Sequence, residues 1–176
     1  MARTVPTSAS VTPGQFITGA LWNAQVKALN DYLTAPPVFS GYQTTAQSIA
    51  NATFTSFTLD TEVLDSDGGH STSTNTSRYT ATVAGTYLVV GTAGWSGATT
   101  GYRRCRITLN GAVVPGAAVG ADATNAVLCG QCVVTVVVMN GTSDYVEVQG
   151  QQSSGGALAA YNADFAPSMR VHWLSR

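Results

Sequence analysis

The pattern of apolar and polar positions changes its period at residue 37. Residues 1–17 carry Pro6, Pro13 and Gly14 among Ser and Thr with no apolar periodicity, which predicts an extended arm. From Thr18 the stretch GALWNAQVKALNDYL is free of proline and rich in Ala and Leu, and the Thr18 hydroxyl can cap a helix N-terminus. Pro36 and Pro37 end it. Trp22, Val26, Leu29 and Leu33 are spaced four, three and four apart, a heptad-like seam along a helix over 19–33. Two heptads leave the partner of that seam open between the chain's own domain and further copies of the chain.

Beyond Pro37 the period becomes two. VFSGYQ (38–43) reads as a short strand, and 54–65 alternates Phe57, Leu59, Thr61 and Val63 on one face, with Phe54 out of phase and an irregularity expected near Ser56. RYTATV (78–83) and TYLVVGTAGW (86–95) flank Ala84-Gly85, which reads as a hairpin turn. RRCRITLN (103–110) sends Cys105, Ile107 and Leu109 inward and Arg104, Arg106 and Thr108 outward. Asn110-Gly111 and Asn140-Gly141 are tight-turn signals, the second between apolar runs at 126–139 and 144–151, and 168–175 closes the chain. About eight strands and one helix predict an all-β fold: an antiparallel jelly-roll sandwich (38–176) preceded by an arm and helical stem (1–37). The run Val133 to Met139 is apolar on both faces, so Val134, Val136 and Val138 are expected to be covered by a second subunit.

Charge narrows the partners. Only 10% of residues are charged and the formal net charge is −1, against about 25% charged in a typical domain. Ser, Thr, Gly and Ala must therefore cover most of the surface. The one tight basic group, Arg103, Arg104 and Arg106, is too small to neutralise a phosphate backbone, so nucleic acid is not an expected partner. No run approaches the roughly 18–20 apolar residues of a membrane span, and no insertion is expected. The opening MARTVPTSASVTPGQF has no continuous apolar segment of the secretory kind, and the three cysteines are an odd number; synthesis in a cytoplasm is the expectation.

Candidate chemistry is sparse. His70 falls in the polar loop DSDGGHSTSTNTS and His172 in the last strand, with no GxSxG, HExxH or phosphate-cradling Gly-rich motif, so neither an enzyme nor a cofactor is expected. Cys129-Gly-Gln-Cys132 lies in a strand-like run, where a separation of three puts the sulfurs on opposite faces, against a redox or zinc pair. Asp65-Ser-Asp67-Gly68-Gly69 matches the start of a calcium loop but has Gly at position 69 and Thr at 76 where further ligands belong; Asp65 and Asp67 stay a minor metal candidate. His70 and the aromatics Tyr102, Tyr161 and Phe165, with Trp95 nearby, mark loops such as 65–77 and 151–166 that could touch a glycan or protein.

Several of these segments resemble one known group. SRYTATVAGTYLVVGTAGW with Gly85 and Tyr87, RCRITLNGAVV, QCVVTVVVMNGTSDYVEVQ with Gly141 and Asp144, and DFAPSMRVHWL resemble successive strands of the trimeric jelly roll of the complement globular head and tumour necrosis factor group. The resemblance covers about 38–175, with Thr142 and Ser143 intervening in one loop and no collagen-like Gly-x-y stalk. VTPGQFITGALWNAQVKALNDYLTAPPVF is similar to the leading segment of small virion structural proteins of tailed bacteriophages. These resemblances imply a homotrimer in a virion, with Trp22, Val26, Leu29, Leu33, Val134, Val136 and Val138 between copies and residues 1–37 joined to other virion proteins. They imply either a minor tail protein whose head meets the host surface or a capsid decoration protein; a secreted adhesive or ligand-binding trimer is the third reading, disfavoured by the lack of an export signal.

Overall fold

Thr18 stops the extended arm by accepting the Leu21 N–H on its Oγ1 at 3.1 Å, and the chain turns helical from there. The computed structural model describes residues 4–8, 10–123, 129–161 and 163–176. Its helix runs as α1 (Gly19–Trp22), a π-helical turn (Asn23–Lys27) and α2 (Ala28–Thr34), close to the expected 19–33. The π turn was not legible in the sequence. Its i→i+5 spacing, with Ala28 N–H donating to the Asn23 carbonyl, rotates Leu29 and Leu33 relative to Trp22 and so breaks the regular seam.

The head is the expected antiparallel sandwich. One sheet orders its strands β4 (Thr61–Asp65), β1 (Val38–Tyr42), β12 (Ser168–Ser175), β6 (Ala84–Trp95) and β9 (Cys129–Asn140). The facing sheet orders β3 (Thr55–Ser56), β10 (Tyr145–Gln152), β7 (Tyr102–Leu109) and β8 (Ala112–Asp122), with β5 (Arg78–Thr80) also on β10. A small third sheet joins β2 (Ser48–Ile49) to β11 (Leu158–Ala159). Residues 126–128 of the expected 126–139 strand lie outside the described residues. The core between the two large sheets is aromatic: Phe39 stacks on Tyr79 at 5.2 Å, Tyr79 meets Tyr87 edge-on, and Phe57 meets Trp95 edge-on at 5.8 Å. The Tyr87 hydroxyl donates to the Val83 carbonyl at 2.6 Å, so this buried phenol has a partner.

Neutral amides tie the strand connections to this core. Buried Gln43 donates to the Thr58 carbonyl (3.1 Å), Gln152 to the Ile49 (3.0 Å) and Gly156 (2.8 Å) carbonyls, and Gln151 to the Ala52 carbonyl (2.9 Å). Gln131 accepts from Trp95 Nε1 and donates to the Arg103 carbonyl, bridging the two sheets. The Arg103 side chain is itself buried among the carbonyls of Ala98, Thr100 and Tyr102. Arg103 is therefore not part of a surface basic group.

Four sequence expectations change. The stretch 54–65 is not one strand: β3 pairs with β10 in one sheet and β4 with β1 in the other, and the chain crosses between them over 57–60. Phe57 and Leu59 are buried as expected, but Val63 is exposed, because β1 and β4 shift register between Ser40 and Gly41. Thr108 is buried instead of outward, beside a second register shift between Arg106 and Thr108. Ala84-Gly85 lies inside β6, whereas β5 and β6 belong to different sheets, so no hairpin exists there. Gly85 has φ 153°, and a Cβ on it would collide with Nε1 of Trp173 and the carbonyl oxygen of Ser175. Its glycine signals close approach of the last strand. Asn110-Gly111, with φ 52° and 79°, is the hairpin turn the sequence predicts.

Gly85→Ala is expected to cost about 2–3 kcal/mol by overpacking against Trp173, read as a melting temperature lower by roughly 5–10 °C. Asp60 anchors the crossing. Burial acts to raise its pKa, but hydrogen bonds from the backbone and side chain of Thr44 and from Thr45 outweigh this and lower it from 3.8 to about 2. A depressed carboxylate stabilises the fold above its unfolded pKa and loses that contribution as pH falls through the folded value. Asp60→Ala should therefore melt earlier than the parent chain at neutral pH, with the gap narrowing between about pH 4 and about pH 2.

Candidate interaction surface

The strand β9 carries apolar residues in both phases of its alternation. Val133, Val137 and Met139 point into the sandwich and are buried. On the opposite face Val134, Val136 and Val138 are 54%, 52% and 70% exposed, a row of β-branched side chains on the outer surface of the sheet. In register with them on β6 stand Val90, Leu88 and Thr86, half-buried, so the apolar row is two strands wide. Across β12 and β1 the same surface turns polar, through Arg170 and His172 opposite Ser40 and Val38. His172 is thus an outward residue of this face, not part of a cluster.

Where this face meets the loop after residue 161, a cavity of about 480 Å³ opens among Tyr42, Val63, Thr92, Cys132, Phe165 and Arg170. Thr92 Oγ1 lies 2.7 Å from Ser168 Oγ, which also accepts from Arg170 Nη1 at 3.1 Å, so the polar floor is internally bonded. Phe165 rests on Gly130, where a Cβ would come within 2.7 Å of its ring, and its ring centroid lies 6.2 Å from that of Tyr161. These two predicted ligand aromatics therefore share one loop at the rim of the apolar face.

The stem helix docks on its own head through a residue outside the predicted seam. Tyr32 is buried and meets Trp173 of β12 edge-on, with centroids 4.9 Å apart and planes at 82°. Leu29 is half-buried, while Trp22, Val26 and Leu33 stay exposed. The structure thus places the stem beside the head and leaves most of its apolar seam uncovered in the single chain.

The remaining sequence candidates separate. His70 is not available to a ligand: its side chain has no exposed surface, its ring stacks against Phe39 with centroids 4.8 Å apart, and its two nitrogens face Glu62 Oε1 (2.8 Å) and the Thr76 carbonyl (3.0 Å). Tight closure of the 65–70 turn over Phe39 buries it. That closure is made by Asp65, whose carboxylate accepts from the N–H groups of Gly68, Gly69 and His70 at 2.9–3.2 Å. Asp67 takes the Thr82 and Ser66 hydroxyls. The two carboxylates organise a turn, and among the described residues no three of His, Cys, Asp and Glu group closely enough to hold a metal ion. Cys129 is half-buried and Cys132 exposed on opposite faces of β9, as their spacing requires, whereas burial pushes the Cys105 thiol up to about 12, with the nearby Cys132 adding to the rise. Trp95 is fully buried. Tyr102 lies under the guanidinium of Arg104, 4.2 Å from its centroid. None of the described helices is long and apolar enough to cross a membrane.

No protein-family model and no curated protein sequence matches the chain. Solved structures do. The globular domain of zebrafish complement 1qA protein superposes with a TM-score of 0.58 at 14% identity, covering 80% of this chain and 98% of that one. Murine APRIL at pH 5.0 gives 0.61 at 10% identity over 78% and 98%, and PRD1 vertex protein P5 gives 0.57 at 18% identity over 78% and 73%. At these identities the likeness concerns the path of the chain. It agrees with the strand order and core described above: the chain carries the jelly-roll fold of the complement globular head and tumour necrosis factor type, shared with PRD1 vertex protein P5.

Proposed function

We propose that this chain is a bacteriophage virion structural protein that assembles as a homotrimer, a minor tail protein whose jelly-roll head is displayed toward the host surface. The observation that carries the reading is the outer row Val134, Val136 and Val138 beside Leu88 and Val90. Such a row on a chain with so few charges has no polar cover of its own, and closed threefold packing buries it three times over. Burial at about 25 cal/mol per Å² makes an apolar contact of this kind strong without ion pairs. In the trimer Trp22, Val26, Leu29 and Leu33 contribute the stem's part of the contact, and the arm and stem (1–37) hold the head to other virion proteins. The function needs no catalytic residue: the head presents loops such as 151–166, with Tyr161 and Phe165, to a glycan or protein of the host.

A second reading is a capsid decoration protein stabilising the head shell, and the likeness to a protein named for the PRD1 vertex favours it. Antibody labelling of virions under the electron microscope separates the two. Label at the tail tip supports the first; label spread over the head in hundreds of copies overturns it in favour of the second.

Light scattering of the purified chain is expected to give three times the protomer mass. Val136→Asp places an unpaired carboxylate in the apolar contact, at about 3 kcal/mol per protomer, and should yield a smaller species of unchanged circular dichroism. Cys132 gives an independent readout, because it stands on this outer face opposite Thr92. In the assembled protein, alkylation followed by mass spectrometry should leave Cys132 unlabelled, whereas the dissociated Val136→Asp chain should label there. A monomer of the parent chain with reactive Cys132 would overturn the assembly.

A further inference from the structure

The opposite face of the molecule carries a different surface. Three arginines on the outer side of the β7–β10 sheet each lie over an aromatic ring: Arg78 over Tyr145 (4.1 Å to the centroid), Arg104 over Tyr102 (4.2 Å) and Arg106 over Phe54 (3.5 Å). Only the first has a carboxylate. Arg78 Nε donates to Glu147 at 3.2 Å. Arg104 and Arg106 have no ion-pair partner among the described residues; in register across from them on β10 stand Gln151 and Gln149. Gln149 Oε1 accepts from Arg106 Nε at 2.8 Å and Gln151 Oε1 from Arg104 Nη1 at 3.5 Å.

Each amide is held from behind, Gln149 Nε2 by Ser56 Oγ (3.1 Å) and Gln151 Nε2 by the Ala52 carbonyl (2.9 Å). The two guanidinium groups are thus oriented by a ring and a neutral amide, which fix their planes without compensating their charge. On the other flank their register partners on β8 are the small residues Gly120 and Ala118, which leave a trough lined by Phe54, Arg104, Arg106, Val113, Ala118 and Gly120, with a volume of about 270 Å³. Asp122 stands opposite Tyr102 and makes no ion pair with either arginine.

We infer that this trough binds an acidic saccharide chain, each guanidinium fork taking one anionic group of the polymer. Residues i and i+2 of a strand stand about 7 Å apart on one face, a spacing that suits anionic groups on neighbouring sugars. Arginine presents paired donors that match carboxylate and sulfate oxygens. The apolar edge of Phe54 and the small residues of β8 accept the flat faces of the rings between them. The inference deepens the display reading, on which it rests for taking the ligand to be a surface polymer. It leaves the apolar face of the other sheet free for assembly.

The test is titration calorimetry of the full chain at low salt with oligogalacturonate, which is carboxylated, with dextran sulfate oligomers, which are sulfated, and with neutral dextran and poly-L-glutamate. Binding to either anionic saccharide, weakened by added salt and absent for neutral dextran, is expected, and the arm that binds identifies the anionic group. The Arg104→Gln/Arg106→Gln double variant should bind at least about tenfold more weakly. Ala118→Glu, at an exposed position beside Arg106, should do the same by filling the trough with a carboxylate while keeping both arginines; it decides the matter if the double variant fails to fold. No binding to either saccharide, binding unchanged in Ala118→Glu, or equal binding of poly-L-glutamate would overturn the proposal. Virion labelling tests display and this titration tests the trough, so each can fail without the other.

Discussion

Buried neutral amides, rather than ion pairs, tie the strand connections of this sandwich to its apolar core. Gln43, Gln131, Gln151 and Gln152 reach backbone carbonyls across distances of up to 103 residues in sequence, and each is nearly or fully buried. A buried carbonyl left without a donor costs about 1–3 kcal/mol, and an amide supplies that donor without the desolvation penalty of a charge. The loops at one end of the head, which carry β2, β11 and the crossing from β3 to β4, depend on these contacts for their positions. Even the buried cation Arg103 is satisfied by three carbonyls.

The same economy divides the two outer surfaces between tasks. The β9 face is apolar and small-residue polar, suited to contact with copies of itself. The β7–β10 face is polar and carries uncompensated arginines on rings, suited to something that is not itself. A jelly roll allows this division because each strand alternates between core and surface, so one sheet's outer chemistry can be chosen without touching the other's.

Local signals were legible in the sequence, and long-range ones were not. The Thr18 cap, the stop before Pro37, the Asn110-Gly111 turn and the alternation of β9 are set by residues adjacent in the chain, and all of them stand in the structure. The doubled apolar phase of β9 also pointed to the uncovered surface. Val63 and Thr108 were misassigned because two register shifts move them, and a bulge depends on what the partner strand does. Gly85 looked like a turn because its reason, the approach of Trp173, lies 88 residues further on. His70 read as a loop residue open to ligands, yet the Asp65 turn folds it onto Phe39. The trough was missed because its two arginines were grouped with buried Arg103, and because the glutamines opposite them carry no signal until the strands are paired.

A fold tied by amides has little for dissolved ions to act on. Screening over a Debye length of about 10 Å at 0.1 M weakens charge pairs and leaves amide–carbonyl bonds and apolar contacts largely untouched. A large fall in ionic strength therefore leaves the amide-tied head its shape. The arginine trough is the exception: its attraction for anions strengthens as salt falls, so its grip on an anionic partner would be firmest in dilute water.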